Sequence, residues 1–377
     1  MGGEWGTDGT IPAMSGPRSA GLDASPADGA SDDTEVLPAP ADPRSGRRRR
    51  RRRILIITFT TLLVLIGGTA AAAGLYVRSI DKSVSRISAF AQVPAQNRPP
   101  KAAVAGDALN FLVLGSDTRD PENTGGSRSD TIILLHIPRG HGSAQLISIP
   151  RDTWVHIPRS KDGRHGNVDA KINAAYAWGG PALTVQTIEA YTGVRIDHVV
   201  MVDFAGFKQI VDALGGVSID VPVAFTSTHS LNANSIRRFN QGPQVMDGAA
   251  ALDYARERYA FKDGDFARIQ HQQQVIKAIM SKAASGGILT NPGRLNAFLH
   301  ATAKSVAVDD TLDIFSTASD LRHLRGDNVT FYTSPSAGTG NVGDQSVVFP
   351  NRAKATVLFT AVRDDNVPGI AAAATAK

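Results

Sequence analysis

NFLVLGSDTRDPENTGGSRSDTIILLHIPRGHGSAQLISIPRD, residues 110–152, is the stretch that decides the fold. It contains three apolar, β-branched runs separated by turn-rich segments, which indicate strands over Phe111–Leu114, Thr131–Ile137 and Gln145–Ile149. The short Pro138–Ser143 segment predicts a tight turn, and hence an antiparallel meander. The end of the first strand, the start of the second and the end of the third then lie at one edge of the sheet.

Charged residues collect at this predicted edge. The set comprises three carboxylates and three guanidinium groups: Asp117, Arg119, Arg128, Asp130, Arg151 and Asp152. Arginine binds phosphate bidentately, whereas carboxylates alone would repel it. Carboxylates beside a phosphate site are typical of a divalent metal, so Asp117 and Asp130 are candidates to hold Mg²⁺ or Mn²⁺ while the arginines bind a pyrophosphate. A network of surface salt bridges would leave the same pattern in the sequence.

The composition indicates a globular protein with attachments. The chain has 377 residues, 42% of them hydrophobic, and no cysteine, which excludes disulfides and thiolate catalysis. The net charge of +5 depends on the run Arg47–Arg53, without which the chain is close to neutral. Residues 1–53 are otherwise rich in Gly, Ala, Pro, Ser and Asp, and we expect a disordered tail.

A membrane span is predicted directly after the arginine run. Ile54–Val77 carries no charged residue and has about the ~20 residues that cross a bilayer. Arginine clusters stay on the cytoplasmic side, so we expect a single-pass cell-membrane protein with a cytoplasmic N-terminus and an extracellular domain. A cleaved signal peptide is the alternative, with a small-x-small site at Ala89–Ala91. Because the arginine run adjoins a membrane span, we expect no nucleic-acid partner.

The remainder of the chain alternates between strand and helix patterns. Residues 78–106 indicate an extracellular stalk, residues 107–367 the catalytic domain and residues 368–377 a disordered end. The alternation predicts an α/β domain with helices on both faces of a sheet. Within it, Pro222–Gln244 is expected to be an irregular excursion and Gly338–Gly343 a flexible loop.

Two arginines near the end of a predicted helix form a second cluster. Arg256 and Arg258 are two positions apart and do not share a helix face, so both reach one ligand only if the helix ends there. The Lys262–Asp265 segment supplies that break, and Asp265 is placed as the N-cap of the next helix.

Three polar residues on that next helix are predicted to share one side. Arg268, His271 and Gln272 have i, i+3, i+4 spacing, opposite an apolar side that contains Ile276 and Met280. An ordinary amphipathic helix with a solvated polar face would show the same spacing.

Together these motifs resemble those of the LytR-CpsA-Psr family of membrane-anchored cell-wall enzymes. Their order is preserved over about residues 107–365. The matching segments are LGSDTR (114–119), SRSDT (127–131), SIPRDT (148–153), KINAAY (171–176), VDF (202–204), LGGV (214–217), DG (247–248), ALDYARER (251–258), Asp265, Arg268 and QQ (272–273).

The resemblance implies a three-layer α/β/α domain whose central mixed sheet contains antiparallel strands, with a hydrophobic tunnel and a polar mouth. It implies a transferase of cell-wall biogenesis that moves a glycopolymer from a polyprenyl-pyrophosphate carrier onto peptidoglycan through a phosphodiester bond. Carried over to this chain, Asp117 and Asp130 would hold the metal. For the mechanism, our hypothesis is that Arg151, Asp130 and Asp152 act in catalysis, with Asp130 or Asp152 as the base. The residues that would surround the phosphates are Arg119, Arg128, Arg151, Arg256, Arg258, Arg268 and Gln272.

One position departs from the family pattern. Where the family commonly has Arg-Gln-Gln, this chain has His271-Gln272-Gln273, which replaces a fixed charge with one expected to titrate near neutrality. The hypothesis that follows is a weaker or pH-dependent hold on phosphate. Two other functions stay open: hydrolysis of the polyprenyl pyrophosphate, and non-catalytic or regulatory binding of lipid-linked precursors.

Overall fold

The computed structural model describes residues 75–76, 78–117, 129–227, 236–262, 264–321, 324 and 326–375. The predicted tail and nearly all of the predicted membrane span lie outside the described residues, as do Arg119 and Arg128. None of the helices in the described ranges has the length and apolar content needed to cross a bilayer.

The predicted meander is confirmed. Strands β2 (Leu109–Ser116), β3 (Ser129–Ile137) and β4 (Ala144–Ser148) pair in antiparallel fashion. The register between β2 and β3 shifts after Gly115, and a Cβ atom there would lie 2.8 Å from the Cβ atom of Thr131. Glycine therefore allows the two strand ends to approach closely at the edge where the charged residues collect.

The meander forms the centre of a seven-stranded mixed sheet. Its order is β1 (Ser85–Ile87), β12 (Val306–Asp309), β7 (His198–Asp203), β2, β3, β4 and β13 (Val329–Thr333). The β1–β12, β2–β7 and β4–β13 pairs are parallel, and the other three pairs are antiparallel. The expected α/β class with a mixed sheet is thus confirmed.

Helices cover both faces of this sheet, because alternate residues of its strands point to opposite sides. Leu112 and Leu114 pack with helices near the C-terminus, whereas Phe111 and Ile133 pack with other helices on the opposite face. The helices are α1 (Ala174–Thr192), α2 (Phe204–Ala213), α3 (Gly248–Arg256), α4 (Gly264–Ala283), α5 (Gly286–Leu289), α6 (Pro292–Ser305), α7 (Ile314–Asp320), α8 (Arg352–Arg363) and α9 (Val367–Thr375), with 3₁₀ turns at Ala95–Asn97, Ala103–Ala105 and Gly326–Asn328.

Four two-stranded sheets surround the central one. They are β5 (Trp154–Ile157) with β6 (Val168–Lys171), β8 (Val217–Val221) with β11 (Gly242–Met246), β9 (Phe225–Ser227) with β10 (Arg237–Phe239), and β14 (Ser336–Val342) with β15 (Gln345–Pro350). Two loop predictions are therefore wrong. Residues 222–244 contain strands, and most of 338–343 belongs to β14, because the glycines there pair their backbone with β15.

Both predicted domain boundaries also differ from the structure. In the expected stalk, Ser85–Ile87 forms an edge strand, and Ala89 and Val93 are buried in the core, so the folded unit begins well before residue 107. At the expected disordered end, the alanine-rich segment forms α9, whose Ile370 is fully buried. Alanine has the highest helix propensity, and Ile370 and Ala373 pack into the core.

Candidate active site

A cavity of about 420 Å³ opens where β2, β3 and β7 meet helices α2, α3 and α4. Its size is typical of small-molecule sites. The interior is apolar and is lined by Val113, Ile133, Phe204, Phe207, Ile210, Leu252, Ile276 and Ile279. The polar residues of the lining include Asp130, Arg151, Arg256, Arg258, Arg268 and Gln272. The structure thus brings six of the predicted site residues to one cavity.

Arg151 is the best-paired cation of the site. Its guanidinium forms a close ion pair with Asp130, and its Nε atom lies 3.7 Å from an oxygen of Asp152. Burial would lower the pKa of Arg151, but the charges of Asp130 and Asp152 outweigh it and raise that pKa. Arg151 therefore stays charged, and its buried Nε has no hydrogen-bond partner within the described part of the chain.

Asp152 lies among cations from three parts of the chain. Besides Arg151, it is 3.5 Å from Nζ of Lys171 and 3.9 Å from Nη1 of Arg258. The β5–β6 hairpin returns Lys171 to this position, since Trp154 pairs with Lys171. Lys171 is not among the predicted site residues, because nothing local in the sequence sets that pairing.

A buried carboxylate shapes the turn that carries Arg258. Helix α3 ends at Arg256, and this end allows Arg256 and Arg258 to line the same cavity, as predicted. Glu257 is fully buried, and its Oε1 accepts hydrogen bonds from the N–H groups of Arg258 (2.9 Å), Tyr259 (2.7 Å) and Ala260 (3.2 Å). Three charge-assisted bonds fix the turn and so the direction of Arg258. Glu257 belongs to the ALDYARER motif (251–258), but the sequence does not indicate its buried role in this turn.

Aromatic and glycine contacts position both arginines further. The guanidinium carbon of Arg256 lies 4.5 Å from the ring centre of Phe204, a favourable cation–π distance. Gly264 packs behind the turn, where an added Cβ atom would lie 2.8 Å from the carbonyl oxygen of Arg258. Any larger residue at 264 would therefore displace this turn.

Arg268 and Asp265 form an ion pair one helical turn apart. Burial raises the pKa of Asp265 despite Arg268 nearby, and burial lowers the pKa of Arg268. The predicted N-cap role of Asp265 is wrong, since α4 already begins at Gly264 and Asp265 lies inside its first turn. Asp265 Oδ2 and Arg268 Nε are buried and, among the described residues, have no hydrogen-bond partner.

His271 lies outside this charged group. Its ring stacks on Phe225 at 5.4 Å between centres and lies 4.3 Å from Tyr254 and 5.0 Å from Phe261. Burial lowers the pKa of His271 to about 4. The interpretation that it titrates near neutrality beside the phosphates is therefore wrong, because the residue is neutral at pH 7 and packs among aromatic rings. Gln272, the next residue, does line the cavity.

Asp117 and Asp130 follow the paired residues Ser116 and Ser129 on adjacent strands. Among the described residues, no group of three or more His, Cys, Asp or Glu side chains is placed to hold a metal ion. Mg²⁺, however, commonly takes one or two carboxylates together with water and substrate oxygens. Two carboxylates at adjacent strand ends fit that ion, with Asp130 also paired to Arg151.

Comparison with known proteins identifies the family of this chain. The LytR_cpsA_psr family model matches residues 76–363. The cell wall biosynthesis protein LcpA of Corynebacterium glutamicum is 31% identical over 291 residues, which cover 64% of this chain and 53% of LcpA. The polyisoprenyl-teichoic acid–peptidoglycan teichoic acid transferase TagU of Halalkalibacterium halodurans is 38% identical over 210 residues, covering 55% of this chain and 63% of TagU. The chain thus spans between half and two thirds of the length of these relatives.

Solved structures share the fold. The crystal structure of Bacillus subtilis TagV superposes with a TM-score of 0.55 and 26% identity, covering 70% of this chain and 97% of TagV. A LytR-Csp2A-Psr enzyme from Actinomyces oris superposes with a TM-score of 0.56 and 23% identity, covering 74% of this chain and 95% of that one. With a family model that matches most of its length, this chain belongs to the LytR_cpsA_psr family.

Proposed function

We propose that the protein is a membrane-anchored phosphotransferase that moves a glycopolymer from a polyprenyl-pyrophosphate carrier onto peptidoglycan through a phosphodiester bond. One observation carries the proposal: a cavity that is apolar inside has arginine side chains in the same lining. A lipid pyrophosphate has this division of chemistry. The related TagU proteins, named as polyisoprenyl-teichoic acid–peptidoglycan teichoic acid transferases, support it.

The apolar interior would take the first isoprene units of the carrier. Each CH₂ group removed from water contributes about 0.8 kcal/mol, so even a short buried segment of the chain binds appreciably. Phe207, Ile210, Ile276 and Ile279 supply the apolar surface.

The arginines would bind the pyrophosphate. Arg151, Arg256, Arg258 and Arg268 come from β4 and helices α3 and α4 or the segments next to them, and line one cavity. Arg151 and Arg268 each keep a buried Nε group without a hydrogen-bond partner in the described ranges, which suits a phosphate oxygen. We extend this binding role to Gln272, which lines the same cavity, and to Arg119 and Arg128, which lie outside the described residues.

A magnesium ion is part of the proposal. Asp117 and Asp130 would hold it, and when bound it would neutralise charge on the phosphate oxygens. The arginines would stabilise the negative charge that develops as an acceptor hydroxyl displaces the polyprenyl phosphate. Phosphoryl transfer depends mainly on such positioning and charge stabilisation, which these side chains provide.

The proposal includes the anchor and the layered fold. We place residues 54–77 across the membrane, with the N-terminus in the cytoplasm and the catalytic domain outside, because the span is uncharged and follows seven arginines. A three-layer α/β/α arrangement is supported by the separate apolar clusters on the two faces of the central sheet.

The test uses the full chain in detergent with Mg²⁺, a short-chain polyprenyl-pyrophosphate glycan and peptidoglycan oligomers, followed by mass spectrometry of the products. We expect glycan joined to peptidoglycan through one phosphate, and none with Asp117→Ala. Free phosphorylated glycan instead would make the protein a hydrolase. Unaltered lipid bound to the protein would make it a non-catalytic binder of the precursor.

A further inference from the structure

A second groove meets the apolar cavity at its charged side. The groove has a volume of about 540 Å³ and shares Arg258 and Tyr259 with the lining of the apolar cavity. Asp152 lines the groove, whereas Asp130 lines the apolar cavity. The remaining lining comes from the start of α4 and from the β14–β15 hairpin. The arginine site therefore lies between two spaces of different chemistry.

We propose that this groove binds the acceptor glycan of peptidoglycan and that Asp152 receives the proton of the attacking sugar hydroxyl. The inference rests on the proposed transferase function and adds to it the acceptor subsite and the base.

The direction of phosphoryl transfer supports this assignment. The attacking and leaving oxygens lie roughly in line, on opposite sides of the phosphorus. If the polyprenyl chain occupies the apolar cavity, the leaving polyprenyl phosphate lies on that side of the arginines. The acceptor must then approach from the other side, and the groove adjoins the cavity at Arg258 and Tyr259.

The groove lining suits a glycan that carries carboxylate-bearing peptides. Tyr259 is 57% exposed, and the guanidinium carbon of Arg258 lies 4.5 Å from its ring centre, so the two side chains form one surface with an apolar and a cationic part. Lys262 and Arg258 supply positive charge, and Thr339 and Ser346 supply hydroxyl groups. Two phenylalanines, two valines and the carboxylates of Asp152 and Asp265 also belong to the lining, so the groove has mixed polarity, which suits sugar rings with apolar faces and hydroxyl edges.

The hairpin wall is fixed to the proposed base. The backbone N–H of Val348 donates a hydrogen bond to the carbonyl oxygen of Asp152 (2.9 Å), and Thr153 forms a β-bridge with Val348. The hairpin is therefore bonded directly to the backbone of Asp152 and its neighbour, which suits a subsite that orients an acceptor hydroxyl.

The two candidate bases differ in their partners. Asp130 forms a close ion pair with Arg151. The cations around Asp152 lie at 3.5 to 3.9 Å, which leaves its carboxylate room to accept a hydrogen bond from a hydroxyl. In the proposed step, the acceptor O–H bond breaks and its proton passes to Asp152. The oxygen forms a bond to the phosphorus next to the glycan, while the bond from that phosphorus to the bridging oxygen breaks. The electron pair leaves on the polyprenyl phosphate.

The groove is tested by filling it. Thr339→Trp places a large side chain at an exposed position of the groove wall. Thr330→Trp, the control, places one at an exposed position of strand β13 that lines neither the groove nor the apolar cavity. With full-length protein in detergent, calorimetry would measure the affinity for muropeptide oligomers and, separately, for a polyprenyl-pyrophosphate glycan. We expect Thr339→Trp to weaken oligomer binding about tenfold or more by steric exclusion, with donor affinity unchanged, and Thr330→Trp to change neither.

Two results would overturn the groove assignment. In the first, Thr339→Trp binds oligomers as tightly as the wild type does. In the second, Thr339→Trp weakens binding of the donor and not of the oligomers. For the base, Asp152→Asn should retain both affinities and lose transfer. Normal transfer by Asp152→Asn together with an inactive Asp130→Asn would overturn that role. A wild type that binds oligomers in a Thr339-dependent manner but forms no product would contradict the proposed function and leave the groove assignment standing.

Discussion

Arg268 and His271 lie one turn apart on α4, yet one faces the charged cavity and the other an aromatic cluster. Both residues are buried. Arg268 has Asp265 as an ion-pair partner and lines the cavity, whereas His271 packs among Phe225, Tyr254 and Phe261. The pKa of arginine starts so high that burial lowers it without discharging the side chain, while the pKa of His271 falls to about 4. Buried basic residues are thus kept charged on one side of this helix and neutral on the other.

The largest expected effect lies on the charged side, at Arg151. Arg151→Ala removes a positioned charge, and we expect transfer to fall by about 10²–10³-fold, the usual loss for one such group. Product formation measures it, with circular dichroism to check the fold. The matched control is Arg164→Ala, whose side chain is 82% exposed and should be dispensable. Full activity in Arg151→Ala would remove the charged site from the mechanism.

Breaking the ion pair of Arg268 tests why that side stays charged. Asp265→Ala leaves Arg268 buried without its carboxylate, and we expect the free energy of unfolding to fall by about 3 kcal/mol. Denaturant unfolding measures the change. Asp265→Ala combined with Arg268→Met should recover part of the loss, because the unpaired charge is gone. Unchanged stability in the single variant would show that Asp265 does not support Arg268.

The aromatic side predicts a pH dependence of stability. The folded-state pKa of His271 is lowered to about 4 from an unfolded value near 6.5, so the unfolded chain binds the extra proton between these values. The contribution of neutral His271 to the free energy of unfolding is therefore fully present above about pH 6.5. It decreases as the pH drops, by about 2 kcal/mol between about pH 8 and about pH 5. Denaturant unfolding of wild type and His271→Phe gives the comparison, since the variant should lack this part of the slope.

Phosphate binding should not follow the same curve. Because His271 lies in the aromatic cluster, we expect its replacement by phenylalanine to leave the pH profile of phosphate-analogue affinity unchanged. If His271→Phe alters the pH profile of phosphate-analogue affinity, then His271 does act on the phosphate site, contrary to our prediction.

The smallest expected loss of stability concerns the turn that carries Arg258. Gly264→Ala brings a Cβ atom to 2.8 Å from the carbonyl oxygen of Arg258, and we expect the strain to cost about 1 kcal/mol and to reduce transfer several-fold. Gly286→Ala is the control, because an added Cβ there meets nothing within 4 Å. Equal behaviour of the two variants would show that the position of Arg258 is not sensitive to this contact.

Much of the sheet and of the charged edge follows from local sequence. Strand alternation and a short turn predict the meander, and its register brings Asp130 and Arg151 together. The separation of Arg268 from His271 does not follow, because i, i+3 spacing places both on one side in general and only tertiary packing divides them. Lys171 and Glu257 likewise depend on a hairpin register and on a buried turn. Strand β1, Ser85–Ile87, lies inside the predicted stalk and was not predicted, because three residues are too few to show a period of two.

The most direct test of transfer is to run the reaction in water labelled with heavy oxygen. Wild-type protein, Mg²⁺, a polyprenyl-pyrophosphate glycan and peptidoglycan oligomers would be incubated, and the phosphate attached to the glycan analysed by mass spectrometry. We predict a phosphodiester that carries no label, since its new oxygen comes from the acceptor sugar. Label in the phosphate on the glycan would mean that water is the acceptor and would contradict the transferase.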